Sequence, residues 1–528
     1  MKKDHRKFQI LVQLRWSAAA AAAIVIAAAV SCTAAEAEAE EAPLVSRIAF
    51  GSCANQSAPQ PIWNAIIEYD PQVFIWLGDN IYGDIRRPFK LFGKERTIGP
   101  WKNVPRFIPS SEQEMKSRYH LAKANPGYSR LRTKTKVVGT WDDHDFGLND
   151  AGKEFPGKIN NQRLMLDFLD EPQESPRRKQ AGIYASYVFG PVGKQVKVIL
   201  LDTRYHRDPL FSDGSILGEA QWKWLEEELN GPSTAVTIIG SSIQVITNHS
   251  ASVGPLFYME SWGRFPSERS HLFKLLSDSK REGVFFISGD VHFGEISRSD
   301  CAVGYPLYDI TSSGLTQAVE KVVPSPLHLF VRFLAWLTPA PMRVMDKSCR
   351  FHSCTCGKPN FGTIEIDWNT TPVSLRFEVK DENGLPVTAV NISLLQLQGQ
   401  RADTKMNTAN EKFQRHCSLE VDLPFVVRYR LNILFLFTLI GMLFIPILSS
   451  FHVSLSILRL VKVLGKYYAT MFILVPNLPI LQFNLVNLII YLFVDFVKLR
   501  IKVNTINLHH YPFKKINLNH YHCAKHVT

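Results

Sequence analysis

From Ser46 onward, short apolar runs that end in small or acidic residues alternate with segments of helical spacing, the pattern of a layered α/β domain. Strands are expected over Arg47–Cys53, Val73–Asp79, Lys136–Asp142, Val196–Asp202, Val236–Ser242, Val284–Asp290 and Leu307–Thr311. Between Leu217 and Asn230, Trp222, Leu225 and Leu229 recur at helical spacing, which predicts an amphipathic helix feeding the strand at Val236. From Phe361 to Leu397 the pattern changes to alternation. It predicts strands Thr363–Trp368, Val373–Val379 and Val387–Leu397, with Glu382–Gly384 as a turn, extending the same sheet. Leu327–Met345 is apolar and aromatic and broken by Pro339 and Pro341. It is read as an ordinary buried helix, with a surface lid or a membrane-facing helix as the alternative.

The ends of the chain have a different pattern. Residues 1–32 read as a signal peptide, a basic start followed by the apolar run Ser17–Ser31. Residues 33–44, rich in Ala and Glu, read as a flexible tether or a short solvated helix. The main body is placed at 45–398 and a linker at 399–427, with a transmembrane helix over 428–450, whose uncharged run is Leu431–Ser450 behind Arg428 and Arg430. A second apolar stretch, Met471–Phe496, is interrupted by Pro476, Pro479 and Asp495, and 451–528 is left as a hydrophobic and basic tail. Asn-x-Ser/Thr acceptors at Asn55, Asn248, Asn369 and Asn391 fit a secretory, membrane-anchored protein with a lumenal or extracellular body.

The formal charge of +12 first suggests nucleic acid, but its distribution argues otherwise. Val426–Thr528 carries +10 of it and Met1–Trp16 +4, which leaves the body at about −2, without the clustered positive charge that nucleic-acid binding needs. Eight cysteines are too sparse for a disulfide-built fold in 528 residues. The spacing of Cys349, Cys354 and Cys356 around His352 matches no paired zinc motif, so a disulfide or loop thiols are expected there.

Four polar clusters fall where expected strands end, the usual place for ligand sites in open α/β sheets. They are Gly51–Cys53, Gly78–Tyr82, Trp141–Asp145 and Gly289–His292. Taken singly, a Gly-Asp pair is a turn, Tyr82 a rim aromatic and Cys53 a small buried hydrophobe. Four consecutive polar groups from Asp142 to Asp145 are costly to enclose unless a metal or a hydrogen-bond network satisfies them. Carboxylates serve hard cations, whereas thiolate, phenolate and imidazole serve borderline or ferric ions, so the mixture suits two unlike metals.

With Asn149, Leu201–Arg204, Gln221 and Trp222 added, the chain from about Ser46 to Leu397 resembles the PhoD-like (alkaline phosphatase D) branch of the calcineurin-like and purple-acid-phosphatase-like metallophosphoesterases. The resemblance implies a two-sheet α/β/β/α sandwich, here with extra C-terminal β-strands and an appended transmembrane helix. It also implies hydrolysis of phosphate esters at a centre of Fe3+ plus Ca2+. Cys53, Asp79 and Tyr82 would hold the iron, with Asp290 or His292 completing its shell. Asp79 would bridge to the second ion, held by Asp143 and Asn149. His144 would sit beside the phosphate, and hydroxide would attack phosphorus in line. The wider superfamily has a further histidine ligand, for which Val236–Ile246 offers only Ser241, Ser242 and Gln244, so the second metal stays open. Arg204, Arg264 and Arg269 are candidate phosphate clamps or surface salt bridges, and Arg264 joins Asp143 and His144 as a candidate catalytic residue. A phosphodiesterase or phospholipid head-group hydrolase, and a membrane-tethered protein without turnover, remain as competing functions.

Overall fold

The computed structural model describes residues 42–86, 107–209, 212–254, 259–399, 416–474 and 491. The expected signal peptide, nearly all of the tether, and most of the second apolar stretch and of the tail lie outside the described residues. Two compact units are distinguished, Met1–Phe435 and Leu436–Thr528.

Among its described residues the first unit holds fourteen strands. They are β1 Arg47–Gly51, β2 Val73–Leu77, β3 Ile85–Arg86, β4 Phe107–Ile108, β5 Lys136–Thr140, β6 Ala185–Phe189, β7 Val196–Leu200, β8 Val236–Gly240, β9 Val284–Ser288, β10 Gly294–Ser299, β11 Leu307–Ser312, β12 Asn360–Asp367, β13 Ser374–Asp381 and β14 Pro386–Ser393. One six-stranded sheet runs β14-β13-β12-β1-β2-β5 and the other β10-β11-β9-β8-β7-β6, while β3 and β4 form a small ribbon. β1, β2 and β5 are mutually parallel, as are β7, β8, β9 and β11, and the C-terminal hairpins join β1 through antiparallel β12.

Alternation along β1 and β2 divides the core. Ile48, Phe50, Val73, Ile75 and Leu77 point into the space between the sheets, against Val198, Ile238 and Phe285. Ala49, Phe74 and Trp76 point the other way, onto Trp63, Tyr128 and Phe168 of the helices Ile62–Tyr69, Pro126–Arg132 and Lys158–Phe168. Helix Gly218–Asn230 buries Trp222, Leu225 and Leu229, as its spacing predicts. The result is the expected α/β/β/α sandwich.

Six expected strands stop two residues early, at Gly51, Leu77, Thr140, Leu200, Gly240 and Ser288. The polar residue meant to close each strand has left the ladder. At Cys53, Asp79 and Asp290 the cause is visible, because φ is 60°, 49° and 71°, a left-handed conformation no strand continues through. Strands β6 and β10 were not anticipated, since both are sheet edges and the sequence of β10, Gly294–Ser299, has no apolar alternation.

Three further expectations change. Helix His328–Leu337, read as buried, has no buried side chain, because its charged and polar positions rather than its apolar ones face the body. Part of the expected linker is docked, Cys417 being disulfide-bonded to Cys301, and just beyond it Arg428 Nε donates to the Ala251 carbonyl at 2.8 Å. Asn248, read as a glycan acceptor, is buried and its Nδ2 donates to the Gly263 carbonyl, so the folded chain does not offer it to a glycan. Cys349 and Cys354 form a disulfide, and Cys356 is a buried free thiol.

In place of a helix ending near Ser450, one helix continues from Arg430 to Leu474 through Pro446. Its span Arg430–Tyr467 is long and apolar enough to cross a membrane. At about 1.5 Å rise per residue it exceeds the roughly 30 Å hydrocarbon core, so Arg459, Lys462 and Lys466 need not lie within a bilayer.

Candidate functional site

The carboxyl ends of β1, β2, β5 and β9 converge. The β1 and β2 loops are stitched together by Cys53 N to Gly78 O at 3.3 Å and Ala54 N to Asp79 O at 2.9 Å. Gly78, at φ 98°, must lack a side chain, because a Cβ there would lie 2.4 Å from Asp142 Cβ. That close approach brings Asp79 beside the Asp142–Asp145 turn.

The four polar residues of that turn take three directions. Asp145 turns back, accepting from Asp142 N at 2.6 Å and from Asn80 N and Nδ2 at 3.1 and 2.6 Å, and so pins the two loops to each other. Asp142 accepts from Arg204 and from Ser242 Oγ at 2.7 Å. Asp143 and His144 face the opening between the strand ends. The His144 amide donates to Asp79 Oδ1 at 3.3 Å, and Asp143 Oδ2 accepts from Asp150 N at 2.7 Å.

Three overlapping groups of ligand atoms result, each within 4.8 Å: Cys53, Asp79 and His292; Asp79, Asp143 and His144; Asp143, Asp150 and Glu260. Cys53 Sγ lies 3.4 Å from Asp79 Oδ2, and Tyr82 OH lies 3.1 Å from His292 Nε2, which brings the phenol to the first group. Asp290 stands in the same loop as His292, yet its carboxylate is in none of the three groups. Asn149 donates its Nδ2 to Asp150 Oδ2 at 2.7 Å and its backbone N–H to Asp84 at 2.9 Å, which places it next to the third group.

Electrostatics gives this cluster its character. Burial holds the carboxyls of Asp79, Asp145 and Asp290 well above the usual carboxylate range, and burial together with Glu260 and Asp143 pushes Asp150 up to about 8. Burial also pushes Asp142 up to about 6, although Arg204 opposes it. Asp143 is the exception: burial raises it, but His144, Arg204 and the Asp150 amide outweigh that and lower it to about 2. Burial alone would lower His144. The carboxylates of Asp143, Asp79 and Asp84 overcome it and hold the imidazole well above its ordinary value, while burial and His144 lower His292 to about 4.

The residues present fit a pair of cations. Asp142 Oδ2 and Asp143 Oδ1 are enclosed without a hydrogen-bond partner, and the surrounding acids outnumber the cationic groups. Oxygen donors are joined by a thiol, a phenol and an imidazole, a combination that serves two ions of different hardness.

Sequence reading missed Asp84, Asp150 and Glu260. Asp84 Oδ1 accepts from His144 Nδ1 at 2.7 Å, and Glu260 pairs with Arg204 at 2.5 Å and Arg207 at 3.0 Å. None of the three closes an apolar run, and the only available signal was Asp84 lying two residues past Tyr82. The candidate clamps fare differently from one another. Arg204 is fully buried between Asp142 and Glu260, and buried Arg269 donates to the Ile246 carbonyl, so both are internal supports rather than surface pairs. Arg264 is half-buried, on the turn Trp262–Arg264 next to Glu260. His249, just beyond the segment searched for a superfamily histidine, bonds to Glu295 and not to the acid cluster.

Fold and site together define an α/β/β/α sandwich with an acid-rich centre at the carboxyl ends of its strands. The chain belongs to the PhoD-like phosphatase family, whose model matches residues 48–328, just over half of the 528. Alkaline phosphatase D of Bacillus subtilis (strain 168) is 22% identical over 252 residues, covering 41% of this chain and 40% of that protein, so the match spans well under two thirds of the relative's length. Among solved structures, that of PhoD aligns at 16% identity over 67% of this chain and 69% of the other, with a TM-score of 0.47. The Plasmodium GAP50 structure, titled as the anchor in the inner membrane complex, aligns at 13% identity over 66% and 89%, with a TM-score of 0.38.

Proposed function

We propose that the chain hydrolyses phosphate esters at this site with the help of two cations. Cys53, Asp79, Tyr82 and His292 would hold one, whose thiolate and phenolate donors suit Fe3+. Asp79, Asp143 and Asp150, with Asn149 at hand, would hold the other, whose oxygen donors suit Ca2+. Bound there, such ions lower the pKa of water and neutralise phosphoryl charge. The observation that carries this reading is the excess of buried carboxylates, two with unpartnered oxygens, at the point where four strands end.

The protein's own groups supply the rest. Asp84 accepts a hydrogen bond from His144 Nδ1–H, which fixes the ring and leaves Nε2 to donate to a leaving oxygen. The raised pKa of His144 keeps that proton available at neutral pH. The Tyr82 ring lies against the same imidazole at 4.4 Å between centroids, tilted by 37°, and closes one side of the site. Arg264, on the turn beside Glu260, is the remaining candidate to orient phosphate oxygens.

Elemental analysis of the purified chain, with turnover of soluble mono- and diesters, tests this: bound iron and hydrolysis are expected. A folded protein that takes up no metal would overturn it. Diesters, including phospholipid head groups, are a second reading favoured by one contact. Val319 N donates to the His292 carbonyl at 3.0 Å, so the segment leading to the exposed helix His328–Leu337 starts at the site. Faster turnover of vesicle lipid than of soluble monoester would select it.

We also infer the secretory layout of the sequence reading, with the body lumenal or extracellular and Arg430–Leu474 crossing the membrane. Disulfides Cys301–Cys417 and Cys349–Cys354 support an oxidising compartment. Protease protection in sealed microsomes is the check, and a body digested without detergent would reverse the orientation.

A further inference from the structure

Among the described residues of the first unit, apolar side chains such as Val192 and Ile159 are exposed elsewhere, but two segments near the long helix carry several together. On helix His328–Leu337, Leu329 is 75% exposed, Phe330 56% and Trp336 52%, with Phe333 beside them. On the turn Phe425–Arg428, Phe425 is 70% exposed and Val426 68%. The helix is firmly held: Arg332 forms a two-pronged pair with Glu320 at 2.8 and 2.7 Å, and its guanidinium lies over Phe351. A fixed helix that turns its charge inward and its aromatics outward is built to cover something apolar.

Both places adjoin the start of the long apolar helix. Arg430 donates to the carbonyls of Leu337 and Trp336, satisfying the C-terminal end of the exposed helix. Arg428 donates to Ala251 O and Asn432 Nδ2 to Gly254 O, each at 2.8 Å. The uncharged run begins at Leu431, immediately after Arg430, and Asn432 is its second residue. The stretch Leu431–Leu458 carries no Asp, Glu, Lys or Arg and is about 42 Å long at about 1.5 Å per residue. If it enters a bilayer with a core of about 30 Å, Arg430 and the carbonyls it holds lie within about 12 Å of the hydrocarbon boundary, whichever way the helix points. That range contains the head-group region, where tryptophan and other aromatics are favoured.

We propose that helix His328–Leu337 and the Phe425–Val427 segment dock on the lipid surface as an interfacial collar around the entry point of the membrane helix. A groove of about 900 Å3, lined by Leu329, Phe333, Trp336, Met345 and Lys347 among others, opens along the same helix and enlarges the contact. The collar holds the body at a fixed height on the membrane. The proposal rests on the reading of Arg430–Leu474 as a membrane span, and its test separates the two.

The full chain is reconstituted into phosphatidylcholine vesicles with acyl chains brominated near the head group, and Trp336 emission is taken as the difference between wild type and Trp336→Phe. Most of that emission should be quenched relative to unbrominated lipid. The double variant Phe330→Ser, Phe333→Ser should lose the quenching yet hydrolyse soluble monoesters as before. Unquenched Trp336 in a chain that resists alkaline carbonate extraction overturns the collar and leaves the membrane span standing. Cross-linking of the helix to a second copy, without quenching, overturns it equally. Extraction by carbonate removes both readings.

Discussion

Glu295 and Asp79 are both buried carboxylates of the sheet sandwich, and their surroundings differ in one respect. Glu295 accepts from His249 Nε2 at 2.7 Å, Gln244 Nε2 at 2.9 Å and Arg343 Nε at 2.7 Å. Burial pushes its carboxyl up, but His249 and Arg343 outweigh that and hold it well below the usual range. At Asp79, burial and the charges of Asp143, Asp142 and Asp145 outweigh the opposing His144, and its carboxyl is held high. One cluster is internally neutralised, whereas the other needs positive charge from outside. Buried charge alone therefore marks no site; uncompensated buried charge does.

The strongest way to break this comparison is to remove a carboxylate that would face a cation. Asp79→Ala should reduce kcat/KM by about a thousandfold, some 4 kcal/mol, and lower metal content with it. Near-normal turnover with full metal would move the centre elsewhere. Asp290→Ala sharpens the point, because its carboxylate is in none of the three ligand groups. A loss much smaller than that of Asp79→Ala would leave His292 to complete the first shell.

Next in size, Glu295→Ala should cost about 3–5 kcal/mol of stability by leaving Arg343 buried and unpaired, with metal content unchanged. The two clusters should also respond to pH in opposite senses. Glu295 has a folded pKa below its unfolded value, so its contribution is complete above about pH 4.3 and is lost as pH falls below it. Asp150 is raised from 3.8 to about 8, so in chelator-stripped protein its contribution is complete below 3.8 and lost as pH rises towards 8. Denaturant titration of stripped protein and of Glu295→Ala across this range separates them. A stripped protein that gains stability from pH 5 to 8 would contradict the assignment of Asp150.

Asp84→Asn should have a smaller effect, roughly 10- to 100-fold on kcat with KM nearly unchanged, because Asp84 acts through His144. The arm of the pH–rate profile that reports the imidazolium should move to lower pH. An unchanged profile would make Asp84 a support for the Asn149 loop only.

Such contrasts were partly legible in the sequence. Parallel strands buried on both faces read as unbroken apolar runs, and Val73–Leu77 is entirely buried. Their polar ends marked Cys53, Asp79, Asp143 and His292, which the fold brings together. Asp150 and Glu260 reach the same place from loops, where no periodicity points to them, and Arg204 looked like a clamp because its two partners are distant in sequence. Helix His328–Leu337 was misread for a related reason. Its apolar content was plain, but whether those residues face inward depends on the Arg332–Glu320 pair.

The smallest effect on the fold is expected at Cys53, and there the structural and functional readings diverge most. Its thiol is buried, 3.1 Å from Ser313 Oγ and 3.4 Å from Asp79 Oδ2. Burial, with Asp79 adding, pushes its pKa well up, so without nearby positive charge it stays protonated and donates to Asp79. As mere core, Cys53→Ser would cost about 1 kcal/mol of stability and spare both metal and rate. A cation in the first group would reverse the sign of the local potential and draw out the thiolate. Serine, a poor anionic donor at neutral pH, would then lower iron content and turnover together while the fold survives. Thiolate-to-iron charge transfer should colour the wild type, and the variant should lose that band. A colourless wild type whose Cys53→Ser form keeps full iron and full rate would leave Asp79, Tyr82 and His292 to hold the ion without sulfur.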